Sequence, residues 1–218
     1  MSDLYVKQLQ LGPMKNFVYL VGAKGSRETA IIDAAWNIDE ALAAAAQDGR
    51  DITHALVTHH HHDHTNGLPP LLVHQQIPIY CHKADIENLD AEIRTGTTAV
   101  EADSIVQVGP LVFRALHTPG HTPGSVTWMA DSANAIFAGD TLFVNACGRC
   151  DFEGGDPKEM RRSLGKLRAL GAATTLYPGH DYGDVKVSSI GRETEKNPYF
   201  QLLDDEDKFV GFRMRPRP

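Results

Sequence analysis

The chain alternates short apolar runs with clusters of glycine, proline and acidic residues, a pattern that predicts short strands and helices in succession. Residues 4–11 (LYVKQLQL) and 16–22 (NFVYLVG) read as two strands around the turn Gly12-Pro13, and residues 29–33 (TAIID) as a third. The alanine-rich stretch Ile38 to Gln47, with Asn37 or Asp39 as N-cap and Gly49 as stop, predicts a helix. Residues 53–57 (THALV) predict a short buried strand. Further elements are a helix near 67–76, a strand at 77–81, a helix from about 83, and a hairpin over 104–117 around Gly109-Pro110. Strands at 124–130 and 134–138 follow, then a helix over 157–170 ending at Gly171, a strand at 173–177 and a helix near 185–196. The tail DDEDKFVGFRMRPRP is charged and reads as frayed at its end or packed on a neighbour.

No composition shift marks a linker, so residues 1–218 read as one domain of mixed strands and helices, a layered α/β fold. Periodicity alone leaves a single parallel sheet and two sheets equally open. The formal net charge of -7 argues against a nucleic-acid binder, which usually carries a basic face. It leaves room for an anionic small molecule, because a bound metal changes the local field. The N-terminus lacks a basic run followed by an apolar stretch, and no segment approaches the ~18 apolar residues that span a bilayer, so a cytoplasmic protein without membrane contact is expected. Three cysteines, Cys81, Cys147 and Cys150, do not form a secreted disulfide framework.

Histidine changes the picture. There are eleven, and five fall between positions 59 and 64, in Thr58-His59-His60-His61-His62-Asp63-His64. The run follows a strand expected to be buried, so its backbone enters rigidly. In extended chain His59 and His61 point to one side and can share an ion. Asp63 and His64 come where the chain turns into a helix and can face a second ion. Imidazole suits zinc and iron, and a carboxylate adds charge. A solvated polar loop is the bland alternative, but so many histidines would repel one another when protonated, and no acidic cluster offsets them. His60 and His62 fall on the other parity and are expected to pack or support.

A zinc-like ion wants four or more donors, and three later segments offer them. These are His117-Thr-Pro-Gly-His121-Thr-Pro-Gly, Phe137-Ala-Gly-Asp140-Thr and Tyr177-Pro-Gly-His180-Asp181-Tyr182. Each alone reads as a turn. Together, all at strand ends, they read as one site. Cys147 and Cys150 form C-x-x-C with no second pair, so one is expected to pack near the site and the other to be incidental. A metal-bound sensor without catalysis is disfavoured, because structural zinc sites are closed and cysteine-rich.

The segments THHHHDH, PGHTPGS, AGDTLF and YPGHDY resemble, in order, the metal motifs of the metallo-β-lactamase superfamily, over about residues 58 to 182. The resemblance implies an αββα sandwich with the metals at one edge between two sheets. By position it implies that His59, His61 and His121 hold a first metal, that Asp63, His64 and His180 hold a second, and that Asp140 bridges them. His117 matches no ligand.

Within the superfamily the chain looks most like glyoxalase II. The stretch Gly139-Asp140-Thr141-Leu142-Phe143-Val144 with Cys147-Gly148-Arg149 carries that likeness, which assigns Arg149 and Tyr182 to contacts with a glutathione moiety. It implies a hydrolase of hydroxyacyl-glutathione or a related thioester, with two metal ions, zinc or iron, and Asp63 orienting a metal-bound hydroxide. Little follows Tyr199 beyond an acidic patch and a basic tail, so no counterpart of the helical C-terminal extension of glyoxalase II is expected, and Arg213 and Arg215 are the basic residues expected to replace its contacts. Cys147-Gly148-Arg149-Cys150-Asp151-Phe152 is also similar to a stretch of the persulfide dioxygenases, which use a single iron(II) and oxidise glutathione persulfide to sulfite. A lactone, phosphoester or β-lactam hydrolase is the third expectation. A homodimer fits the family.

Overall fold

In the computed structural model, which describes residues 4–215, twelve strands form two six-stranded sheets. The first sheet runs in order β1 (Leu4–Leu11), β2 (Asn16–Ala23), β3 (Glu28–Ile32), β4 (Asp51–Leu56), β5 (Ile79–His82) and β6 (Thr97–Val100). Its first two pairings are antiparallel and the rest parallel. The second sheet holds β7 (Ile105–Val108), β8 (Leu111–His117), β9 (Val126–Ala130), β10 (Ala135–Phe137), β11 (Thr175–Tyr177) and β12 (Ser188–Ser189), again in chain order across the sheet. All its pairings are antiparallel except β10 with β11. The helices are α1 (Ile38–Gln47), α2 (His62–Thr65), α3 (Leu68–His74), α4 (Ala91–Arg94), α5 (Pro157–Arg168), α6 (Ile190–Lys196) and α7 (Glu206–Arg213).

Alternation along β2 shows how the layers arise. Phe17, Tyr19 and Val21 join a core between the sheets with Phe113, Trp128 and Phe137. Val18 and Leu20 face the other way, into a core with Ile38, Ala41, Leu68 and Leu71 of α1 and α3. The whole strand is buried because both faces are covered. A third core lies behind the second sheet, where Ile136 and Leu176 meet Met160, Leu164 and Leu167 of α5, Ile190 of α6 and Phe209 of α7. Helices, sheet, sheet and helices therefore stack in four layers, the αββα sandwich.

Two backbone hydrogen bonds close the sandwich at one end. Val126 N–H donates to Thr58 O at 2.8 Å and Phe17 N–H to Gly179 O at 2.8 Å. At the same end Trp128, fully buried, donates its indole N–H to Val57 O at 3.1 Å. These crossings join the ends of β4, β9 and β11 just below the histidine run.

Several elements differ from expectation. The helix expected from 83 is a 3-10 turn over Ile86–Asn88 followed by the single-turn α4, with the unforeseen β6 after it. The helix near 185–196 is shorter, because β12 occupies its first part. The tail folds as α7, capped by the Asp205 side chain at Lys208 N–H and anchored by Phe209. Its expected frayed end, residues 216–218, lies outside the described residues. Among the described residues no helix is long and apolar enough to cross a membrane.

One pH-sensitive element sits beside β5. His82 is buried and stacks on His117, ring centroids 4.1 Å apart and planes 8° apart. Burial, and then the neighbouring His117, bring the His82 pKa from 6.5 down to about 4. Between these values the unfolded chain binds a proton that the folded one excludes, so stability falls as pH drops through that window. Replacing His82 with Phe keeps an aromatic stack and is expected to move acid unfolding to lower pH, followed by tryptophan fluorescence. An unmoved midpoint would show that His82 does not contribute to the transition.

Candidate metal centre

Four loops, each leaving the C-terminal end of a strand, converge at the closed end of the sandwich. The loop after β4 brings His59, His61, Asp63 and His64, the last two on α2. The loops after β8, β10 and β11 bring His121, Asp140 and His180. Asp140 reaches in because Gly139 turns the chain at φ +48°, where a Cβ would stand 2.3 Å from Thr58 Oγ1.

The residues fall into overlapping groups whose donor atoms lie within 4.8 Å of one another: His59, His61 and His121; His59, His64 and Asp140; and Asp63, His64 and His180. His61 Nδ1 is 3.1 Å from His59 Nε2 and 2.9 Å from His121 Nε2, and His64 Nε2 is 3.1 Å from His180 Nε2. Nitrogens each about 2.0–2.1 Å from one zinc-sized ion would stand roughly 3 Å apart. Asp140 lies between the groups. Its Oδ2 is 3.4 Å from His121 Nε2, and its Oδ1 is 3.3 Å from His64 Nε2 and 3.4 Å from His180 Nε2. That Oδ1 is buried and, among the described residues, accepts no hydrogen bond.

The rings of His59, His121, His180 and His64 are each held from behind by a partner. Thr58 Oγ1 donates to Asp33 Oδ2 at 2.7 Å, so at 3.0 Å from His59 Nδ1 it accepts, and His59 Nε2 is left with its lone pair. His121 Nδ1 donates to Arg149 O at 2.7 Å and His180 Nδ1 to Met14 O at 2.9 Å. His64 Nδ1 meets Asp33 Oδ2 at 2.9 Å. A hydroxyl, carbonyl or carboxylate behind a ring is the arrangement that aims its imidazole lone pair at an ion.

Charge completes the fit. Burial, and then the other histidines, hold His59 well below its ordinary pKa, and burial with His121 and His60 brings His61 down to about 4. Burial also lowers His121. Burial works to raise Asp63, but His180, His64 and Asn16 overcome it and hold the carboxyl well below the usual range. Asp140 behaves alike, with His64, His180 and His121 outweighing burial. His64 goes the other way: burial disfavours its charge, but Asp140 and Asp33 raise its pKa well above normal. A proton thus sits where two buried carboxylates call for a cation. The lowered histidines and ionised carboxylates are the donor states a metal requires, and a metal would displace the His64 proton.

The site opens into a cavity of about 540 Å³, within the usual range for small-molecule sites, walled by Met14, Phe143, Ala146, Cys147 and Phe152. Arg149 and Tyr182 line it as well. The Arg149 guanidinium, however, is engaged by Asp151 through two hydrogen bonds of 2.9 and 2.7 Å and lies 4.3 Å over the Phe152 ring. Tyr182 stacks on His180 at 4.6 Å with its face half exposed. Burial first, then Asp140 and Asp63, push its pKa up to about 12, so its hydroxyl stays a donor.

Other candidates lie elsewhere. His117 binds Pro123 O at 2.9 Å, and His62 is exposed. Arg213 is buried and donates to the Tyr199 hydroxyl at 2.7 Å, away from the cavity, while Arg215 lies over Phe212. Cys147 and Cys150 are both buried, and burial pushes the Cys150 thiol up to about 12. Asp33 escaped the sequence reading although it ends TAIID, the same acid-after-strand signal that marked Asp140. Asn16, Met14 and Asp85 carry no comparable signal.

Comparison with known proteins follows the same lines. A family model described as the metallo-beta-lactamase superfamily matches residues 11–180. A hydroxyacylglutathione hydrolase of Rhodopseudomonas palustris is 41% identical over 182 residues, 83% of this chain and 68% of the relative. The structure of ETHE1 from Myxococcus xanthus superposes with a TM-score of 0.83 at 30% identity, covering 98% of this chain and 93% of that one. TTHA1623, solved in a di-iron-bound form, superposes with a TM-score of 0.78 at 30% identity, covering 89% of this chain and 100% of that one.

Proposed function

The chain belongs to the metallo-β-lactamase superfamily, and from that membership we propose that it is a two-metal hydrolase of thioesters, with hydroxyacyl-glutathione or a related glutathione thioester as substrate. The observation that carries the proposal is Asp140. One oxygen faces each histidine group, and among the described residues the buried Oδ1 has no hydrogen-bond partner. The relative named as a hydroxyacylglutathione hydrolase and the neighbour solved with two irons support the reading.

In this reading His59, His61 and His121 would hold one metal, Asp63, His64 and His180 the other, and Asp140 would serve both. When bound, two ions, zinc or iron, would supply a hydroxide at neutral pH and a Lewis acid for the thioester carbonyl. Asp63 is ionised and held by Asn16 through Oδ2. Its Oδ1, which accepts no hydrogen bond among the described residues, orients the attacking water and takes up its proton. The leaving thiolate has a pKa of about 8.5 and needs little acid help, which matches a cavity without a protonated acid. Phe143, Phe152 and Met14 give the substrate apolar walls. Tyr182 donates a hydrogen bond, and Arg149 meets a substrate carboxylate by exchanging Asp151 for it.

The test is thiol release from lactoylglutathione together with elemental analysis of protein grown with zinc and iron available. Two metals per chain and thiol release are expected, both lost to a chelator and restored by metal. One iron per chain, no thiol release and oxygen uptake with glutathione persulfide would overturn the hydrolase in favour of a dioxygenase.

A further inference from the structure

The histidine run is pinned from two sides by two buried groups on different elements. Asp85 follows β5 and is fully buried. Its Oδ2 accepts the His60 backbone N–H at 3.0 Å and the Thr122 hydroxyl at 2.7 Å, and its Oδ1 accepts the Gly124 N–H at 2.6 Å. His60 Nδ1 stands 3.0 Å from the same Oδ2. His60 lies between His59 and His61, and Thr122 follows His121. One carboxylate thus ties together the backbone that carries every side chain of the first triad. The contact is close enough that a Cβ at Gly124 would lie 2.4 Å from Asp85 Oδ1.

Asn16, at the start of β2, holds the second triad. Its Nδ2 donates to Asp63 O at 2.8 Å and to Asp63 Oδ2 at 2.9 Å, and its Oδ1 accepts the Trp36 indole N–H at 2.7 Å. An indole N–H only donates. Trp36 therefore fixes which end of the amide is oxygen and turns the NH₂ group onto Asp63. Among the described residues no hydrogen bond runs from Asp85 to the second triad or from Asn16 to the first.

We propose that Asp85 and Asn16 are separate positioning residues, one for each metal, so that the two sites can be weakened one at a time. The inference rests on the two-metal reading. Asparagine cannot replace Asp85 although it has the same shape. Oδ1 and Oδ2 each face a backbone N–H, so either orientation of an amide sets NH₂ against N–H in a buried space. Leucine at 16 keeps the volume but leaves Asp63 without its donor. Changes to groups that orient ligands typically lower metal affinity about 10- to 100-fold.

The experiment uses the full chain, with cobalt(II) as the probe. Wild type, Asp85→Asn and Asn16→Leu are titrated against a competing chelator, with bound metal read by elemental analysis and by the cobalt absorption bands. Each variant is expected to retain one tight ion and to hold the other about 10- to 100-fold more weakly. The spectra of the retained ions should differ, because one triad is all histidine and the other contains a carboxylate. Circular dichroism reports folding, and the milder Thr122→Val and Trp36→Phe stand in for a variant that fails to fold. If wild type binds two ions and either variant weakens both alike, or both variants retain the same ion, the separation is wrong while the two-metal reading stands. If wild type binds a single ion, both fall.

Discussion

Asp140→Ala is expected to reduce thioester turnover by more than about a hundred-fold and to lower metal content at both sites together. Orienting groups one bond removed from a metal are typically worth about 10- to 100-fold, and Asp140 is proposed as a direct ligand of two ions. Its Oδ2 faces His121, its Oδ1 faces His64 and His180, and among the described residues no hydrogen bond satisfies that inner oxygen. No neighbouring acid is placed to replace it, since Asp63 faces His64 and His180 and leaves the His121 side uncovered. The loss should therefore be joint, unlike the single-site losses expected of Asp85→Asn and Asn16→Leu. Thiol release and elemental analysis on the same preparation check it. A variant with two metals per chain and undiminished turnover would remove Asp140 from the centre.

What could be read from the sequence is what depends on neighbours along the chain. His59 and His61 share a side because the chain leaving β4 is still extended, and His60 on the other parity meets Asp85. His121, Asp140 and His180 were visible for a related reason, each standing a few residues beyond an apolar run. What depends on distant partners was not visible. Asp33 reaches His64 across 31 positions and Asn16 reaches Asp63 across 47, and neither pairing has a local signature. The parallel pairing of β10 with β11, separated in sequence by α5, was hidden likewise.

Arg149 shows the opposite case. Its partner Asp151 lies only two residues on, and the substrate contact that the resemblance implies for the arginine has to displace this local pair. α7 was mistaken for a charged tail although Asp205, three residues before Lys208, is a capping acid and Phe209 supplies the anchor. Acidic residues at a helix start look the same in sequence as a solvated tail, and only the packing of Phe209 against α5 separates the two.

Asp63→Ala separates the two chemistries that the motifs left open. Asp63 Oδ2 lies 3.4 Å from His180 Nε2 and 3.5 Å from His64 Nε2, the two histidines of the second triad. Removing it takes the one carboxylate from the second triad and the proton acceptor from the cavity, while His59 and His121 keep their orienting partners Thr58 and Arg149 O. For a two-metal hydrolase the expected result is one metal per chain and a loss of thiol release greater than about a hundred-fold, again beyond what an orienting group contributes. The ion that stays should be the one held by the histidine triad, so its cobalt spectrum should match that of Asn16→Leu. A single-iron dioxygenase predicts otherwise: iron bound in full, and oxygen uptake with glutathione persulfide largely retained. The hydrolytic reading survives only if metal and thiol release fall together, because only there does the second triad take part in the chemistry.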